Sequence, residues 1–216
     1  MSKLLSLPTF LTLIRLIISP IMLPVLIVYL LPFGTLSINI GLSVLFVLFS
    51  LTDFFDGYLA RKYRQVTILG KVLDPIADKC LSYSVLIALL AVHKIYFMWV
   101  IILIGRDLFM MGLRQVALEH HFSLSVSLLA KIKTAVQLLF ITVLILNPYH
   151  LLESSGLSGW IADFWRAPRW MAIEGVLLAI TIILALITLR DYYRQFIAKF
   201  LQQQQTKLLP EEKNTF

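Results

Sequence analysis

The chain has 216 residues, 59% of them hydrophobic and only 14% charged, a balance far too apolar for a soluble globular domain. Its formal net charge of +7 lies almost wholly at the borders of apolar runs, where anionic lipid headgroups are the counter-charge, so nucleic acid is not expected as a partner. One cysteine, Cys80, excludes an internal disulfide and reads as a buried inert thiol.

Apolar runs of about 20 residues, the length that crosses a hydrocarbon core, predict six transmembrane helices over residues 9–31, 37–60, 72–92, 95–114, 127–147 and 170–189. The fold class is therefore an all-α polytopic membrane protein with a short interfacial N-terminal segment. It divides into a membrane domain over 1–195 and a polar cytoplasmic tail over 196–216. Segments 1–8, 61–71, 114–133 and 190–216 hold thirteen lysines and arginines, against three on the other side, which places both termini in the cytoplasm.

The first run follows Lys3 and Pro8, the latter suited to a first helical turn. Its length and its Arg15 argue against a cleaved signal peptide. Arg15 either snorkels to the headgroups or faces inward as an anion ligand. Pro20 and Pro24 are expected to bend the helix beyond it.

The second and third runs frame the most unusual stretch, DFFDGYLARKYRQVTILGKVLDPIAD at 53–78. Helical spacing puts Asp53 and Asp56 on one face and Asp74 and Asp78 on another. Four carboxylates in apolar surroundings repel unless they share protons or bind cations, so a divalent metal site is the natural resolution. For Asp74 the structural alternative is an N-cap followed by Pro75 at the first helical position, which leaves Asp78 unexplained. Gly57 beside Asp56 allows close approach of a ligand, and Arg61 at the water boundary suits a phosphate.

The fourth run carries Arg106 and Asp107, with Arg114 near its cytoplasmic end. His120 and His121, adjacent and without a third histidine, read as solvated loop residues. Lys131 and Lys133 open the fifth run, with Thr134 and Gln137 as polar companions. They are either ordinary positive-inside lysines or, with Arg106 and Arg114, an anion site. The longest external loop, 148–169, contains the aromatic anchor FWRAPRW, and the sixth run is featureless apart from Glu174. The tail starts as a basic amphipathic helix and finishes polar.

Asp53-x2-Asp56-Gly57-x2-Ala60-Arg61-x8-Gly70-x3-Asp74-x3-Asp78 resembles, at every position, the signature of the CDP-alcohol phosphotransferase family of membrane enzymes of phospholipid synthesis. Eight fixed residues at fixed spacing make the signal specific. LPTFLTLIR at 7–15, GLR at 112–114 and AKIKTAVQ at 130–137 resemble further segments of the branch whose acceptor is glycerol 3-phosphate. Arg106-Asp107 is closer to the branch that accepts phosphatidylglycerol, while Arg114 and Lys133 suit a phosphate-bearing acceptor.

The resemblance implies transfer of a phosphatidyl group from CDP-diacylglycerol with release of CMP, at the cytoplasmic face of a bacterial inner membrane. It implies two Mg²⁺ or Mn²⁺ ions on Asp53, Asp56, Asp74 and Asp78, a CDP site lined by Asp53, Asp56, Gly57, Ala60, Arg61 and Gly70, and Asp78 as general base. Arg106, Arg114, Lys131 and Lys133 would meet the phosphate of glycerol 3-phosphate. A cavity open to bilayer and cytoplasm and a homodimeric assembly are further expectations. The rival readings are an enzyme using phosphatidylglycerol or an inositol phosphate as acceptor, and, from another class, a cation transporter or a lipid-binding scaffold.

Overall fold

The computed structural model describes residues 7–33, 35–62, 68–120, 122, 124–125, 127–147 and 169–208. Side chains are described over 18–52, 79–147 and 172–203, apart from positions 34, 121, 123 and 126. Helices α1 (Leu7–Leu30), α2 (Leu36–Lys62), α3 (Ile68–Ala91), α4 (Phe97–Glu119), α5 (Leu128–Leu146) and α6 (Arg169–Leu208) account for nearly all of it, and the described residues contain no strand. Each helix covers one of the six apolar runs. The external loop over 148–168 lies outside the described residues, and the last two residues of its aromatic anchor, Arg169 and Trp170, open α6.

Local chemistry sets the helix ends. Leu31–Phe33 forms a 3₁₀ turn after α1, which runs through both Pro20 and Pro24 without terminating. Ser127 caps α5: its hydroxyl accepts from Ala130 N at 3.2 Å, satisfying one of the orphan amides of the first turn. Beyond α3 the chain reverses through His93, whose φ of 57° is left-handed. His93 N donates to Leu90 O at 3.0 Å and Lys94 N to Leu89 O at 2.8 Å, the paired bonds of a Schellman ending with histidine where glycine is usual.

The chain forms two compact units, Met1–Val100 with Leu138–Leu177 and Ile101–Gln137 with Leu178–Phe216. In the first, α1 packs against α3 and α2, and α2 against α3. Leu23 and Ile27 of α1 and Leu31 of the turn after it are buried at every fourth residue, with Leu42 and Phe46 on α2 and Val85, Leu86 and Leu89 on α3. Cys80 is a free, half-buried thiol rather than a fully buried one.

In the second unit, α6 buries Leu178, Thr181, Ala185, Thr188 and Tyr192, spaced alternately three and four residues apart. Ile180, Ile183, Leu186 and Ile187 on its other faces are exposed. Small and hydroxylated residues inside with large aliphatic residues outside is the pattern of helices packed in lipid, where close approach and hydrogen bonds replace the hydrophobic drive. Among the described residues, Leu128–Leu146 and Ala172–Gln203 are long and apolar enough to cross a membrane, and Ile18–Phe33, Leu36–Thr52 and Lys79–Ala91 are shorter apolar stretches. With 40 residues, α6 continues unbroken well past residue 189, the predicted end of its span. At 1.5 Å per residue it reaches about 60 Å, roughly twice a hydrocarbon core.

The first unit also contains a polar knot that the sequence did not disclose. The carbonyl of Asn147, an orphan acceptor just past α5, takes Lys94 Nζ at 2.5 Å and Asn39 Nδ2 at 3.1 Å. Asn147 Nδ2 in turn donates to Glu174 Oε1 at 2.8 Å. All four residues are buried. Burial pushes the Lys94 ammonium down to about 8, against the opposing pull of Glu174. Glu174→Gln keeps the amide contact but removes the counter-charge, and is expected to cost up to about 3 kcal/mol where the carboxylate is ionised. Without the glutamate the Lys94 ammonium falls below about 8, so from there up to about pH 10.5 the unfolded chain binds a proton that the folded variant has released, and the variant should regain stability as pH rises through that window. Thermal unfolding in detergent from pH 7 to 10 measures both effects.

Candidate functional site

Two groups of residues singled out by the sequence fall on these helices. The first is the aspartate motif. Asp53, Asp56, Gly57, Ala60 and Arg61 lie on α2, and Gly70, Asp74 and Asp78 on α3, all within the first unit. The side chains of 53–78 lie outside the described residues, as does that of Arg15, so the motif is placed by its backbone alone. Unbroken helix across both halves gives Asp53 and Asp56 a rotation of about 300° and Asp74 and Asp78 about 400°, so each pair shares a face. Because α3 begins at Ile68, six residues before Asp74, the N-cap alternative for Asp74 does not hold. Asp74 and Pro75 are inside the helix, and Asp74 is released from a capping role.

A quartet of carboxylates offers only hard oxygen donors, a set that suits Mg²⁺ or Mn²⁺ and not a thiolate-seeking metal. Among the described residues there is no cluster of three or more His, Cys, Asp or Glu. His120 is exposed, its Nδ1 donating to Val116 O at 3.0 Å. His121 lies outside the described residues.

The second group is basic and belongs to the second unit. Arg106 donates from Nη1 to Asp107 Oδ1 at 2.8 Å, from Nε to Ala185 O at 3.2 Å, and from Nη2 to the hydroxyl of Thr188. Lys133, only 1% exposed, donates from Nζ to the same Asp107 Oδ1 at 2.6 Å and to Gln137 Oε1 at 2.6 Å. One buried carboxylate thus joins a cation of α4 to a cation of α5, and α6 supplies two further acceptors. Charge-assisted bonds of this kind are short and strong, and they offset part of the cost of burying the ions.

Arg114 stands apart. It is exposed, its Nη2 donates to Tyr192 Oη at 2.9 Å, and its guanidinium carbon lies 5.3 Å from the centre of the Tyr192 ring. Lys131 is exposed and takes part in none of these contacts. Of the four basic residues, then, the structure joins Arg106 and Lys133 directly through Asp107. Arg114 is held on α6, and Lys131 stays outside the network.

Sequence reasoning missed the contributions of α6. Thr188 and Tyr192 lie at the end of the buried stripe that begins at Leu178, and the three-and-four spacing of small and hydroxylated residues was the available signal. Adjacent residues on a helix ordinarily point apart, so a partner for Arg106 other than its own neighbour would be the usual outcome. Instead the long guanidinium reaches back to Asp107.

An all-helical protein with an acidic signature split across two consecutive helices and a basic cluster on later ones defines a narrow class. Residues 5–187 match the CDP-alcohol phosphatidyltransferase family, and the chain belongs to it. A Rickettsia bellii protein named CDP-diacylglycerol–glycerol-3-phosphate 3-phosphatidyltransferase is 40% identical over 169 residues, covering 74% of this chain and 88% of that one. A Rickettsia felis protein of the same name is 39% identical over 142 residues, 66% of this chain and 76% of its own. The Bacillus subtilis protein of that name is 34% identical over 174 residues, with 74% and 89% covered.

The Asp107 bridge makes a direct prediction about stability. Asp107→Ala strands Lys133 in a buried position and should destabilise the protein by about 3–5 kcal/mol. Adding Lys133→Met removes the stranded charge and should recover much of that loss, a coupling visible in the four thermal midpoints of the mutant cycle.

Proposed function

We propose that this chain is a CDP-diacylglycerol-dependent phosphatidyltransferase that transfers the phosphatidyl group to glycerol 3-phosphate, forming phosphatidylglycerophosphate and CMP. The observation that carries the reading is the eight-residue signature, carried by α2 and α3 within a family match that spans residues 5–187. The names of the relatives support the acceptor.

CDP-diacylglycerol presents a pyrophosphate beside an apolar anchor. Asp53, Asp56, Asp74 and Asp78 would hold two divalent ions, Mg²⁺ or Mn²⁺. Bound there, the ions supply neutralisation of the pyrophosphate and of the charge that builds on departing CMP. Asp53 and Asp56 also belong to the proposed CDP site. Gly57, Ala60 and Gly70 are small enough to let cytidine and ribose approach the helices, and Arg61 meets a phosphate oxygen.

Asp78 accepts the proton of the acceptor's hydroxyl as that oxygen attacks the phosphorus bearing diacylglycerol. The new P–O bond forms as the bond to CMP breaks, and CMP leaves with its electron pair. Arg106, Arg114, Lys131 and Lys133 bind the acceptor's own phosphate. With Asp107 counted against these four cations, three positive charges remain, enough to favour a dianionic monoester.

The same reading takes α1 to α6 as six membrane spans in a bacterial inner membrane, with the active site and both termini cytoplasmic. It is supported by the match of each helix to an apolar run, the aliphatic outer face of α6, and the distribution of lysine and arginine. A homodimer follows from the family resemblance.

Purified protein given labelled CDP-diacylglycerol with each acceptor in turn tests the assignment. Product is expected with glycerol 3-phosphate, and product from phosphatidylglycerol or an inositol phosphate alone would overturn it. Asp78→Asn should lower CMP release by about 10² to 10⁴-fold without moving the thermal midpoint. Chelation of divalent ions should stop turnover reversibly, and turnover indifferent to chelators would remove the metal from the account.

A further inference from the structure

We propose that Tyr192 is a positioning residue for the acceptor: it fixes the guanidinium of Arg114 as the charge that receives the acceptor's phosphate monoester. The proposal rests on the reading of glycerol 3-phosphate as acceptor and of α4 and α5 as the source of its phosphate ligands. It goes beyond that reading because Tyr192 lies after residue 187, where the family match ends.

The argument starts from how the described cations are committed. Arg106 and Lys133 share Asp107 Oδ1, and Arg106 places its remaining contacts on Ala185 O and Thr188. Lys133 adds Gln137 and is buried. Arg114 touches no carboxylate among the described residues. Its contacts are the hydroxyl and ring of Tyr192. One of its five N–H donors goes to that hydroxyl, which leaves four and the full positive charge, on an exposed side chain. A planar fork of N–H donors matches the oxygens of a phosphate monoester.

An exposed arginine ordinarily samples many rotamers, and ordering it on a ligand weakens binding. Tyr192 removes much of that cost, because it is itself held by packing. It is 0% exposed and lies one turn beyond Thr188, which is tied to Arg106. On its other side Gln195 Oε1 accepts from Ser125 Oγ at 3.0 Å, and Phe196 packs on Phe122 with ring centres 5.6 Å apart. Phe200 packs on His120 at 5.4 Å, and Gln203 Nε2 donates to the carbonyl of His120 at 2.7 Å. The cytoplasm-directed half of α6 therefore clamps the connection between α4 and α5 and holds Tyr192 against Arg114.

The test uses the full-length protein in mixed lipid–detergent micelles, comparing Arg114→Gln, Tyr192→Phe and the double variant. Tyr192→Phe keeps the ring and deletes only the hydroxyl. It should raise KM for glycerol 3-phosphate about 3–10-fold, with kcat, KM for CDP-diacylglycerol and the thermal midpoint unchanged. Arg114→Gln should raise the same KM by about tenfold or more, and the double variant should be no worse than Arg114→Gln, since tyrosine acts through the arginine. An unchanged KM in Tyr192→Phe overturns the proposal, as do equal changes in both KM values, a lowered thermal midpoint at unaltered KM, or multiplicative effects in the double variant. If Arg114→Gln itself leaves KM for glycerol 3-phosphate unmoved, the acceptor site is misassigned and the proposal falls with it.

Discussion

An ionised side chain surrounded by hydrocarbon is tolerated only when another charge or a ring of hydrogen-bond partners answers it, and that constraint governs both units of this protein. In the second unit the answer is Asp107, whose single Oδ1 serves Arg106 and Lys133. In the first, Lys94 lies on the Asn147 carbonyl with Glu174 behind the same asparagine. Each arrangement joins segments far apart in sequence, so the charges do structural work wherever they are buried. The four aspartates of α2 and α3 lie between apolar runs in the sequence, and divalent cations are the counter-charge proposed for them.

The helices themselves follow the physics of a lipid solvent. On α6 the buried stripe is threonine, alanine, leucine and tyrosine, while isoleucine and leucine face outward. In water such a helix would be inverted. In lipid the outward aliphatic face costs nothing, and the stripe of small and hydroxylated residues lets backbones approach and satisfies polar groups. Thr188 illustrates the economy of the scheme: its hydroxyl donates back to Leu184 O at 2.7 Å and accepts from Arg106.

A phosphatidyl transfer at a membrane surface needs a place for a pyrophosphate, a base for a hydroxyl and, with a phosphorylated acceptor, a cationic site of its own. Under the proposed assignment the first two fall to the aspartates of α2 and α3, and the third to the cations of α4 and α5. The division has a physical motive, since acids and bases on the same faces would neutralise one another and bind neither cations nor phosphates. Among the described residues, Asp107 takes up two cations at once, and Arg106 and Lys133 are thereby built into the packing of α4, α5 and α6, with Arg114 held separately on Tyr192.

Much of this was legible in the chain itself. Hydrophobic runs located the six described helices to within a few residues at most ends, because apolar length is a one-dimensional property. The aspartate signature was legible for the same reason: its residues are near neighbours, and helical geometry relates them without any tertiary contact. Even so, α3 starts at Ile68, four residues before the apolar run that marked it, and that added turn is what removes the N-cap alternative for Asp74. What the fold alone decided was the pairing of distant residues. Asp107 with Lys133, Arg114 with Tyr192, and Lys94 with Asn147 and Glu174 are separated by 26 to 80 positions, and no periodicity links them. Composition shows which charges must find partners in an apolar setting, but the choice of partner depends on which helix faces meet, and that is settled only when the chain is packed.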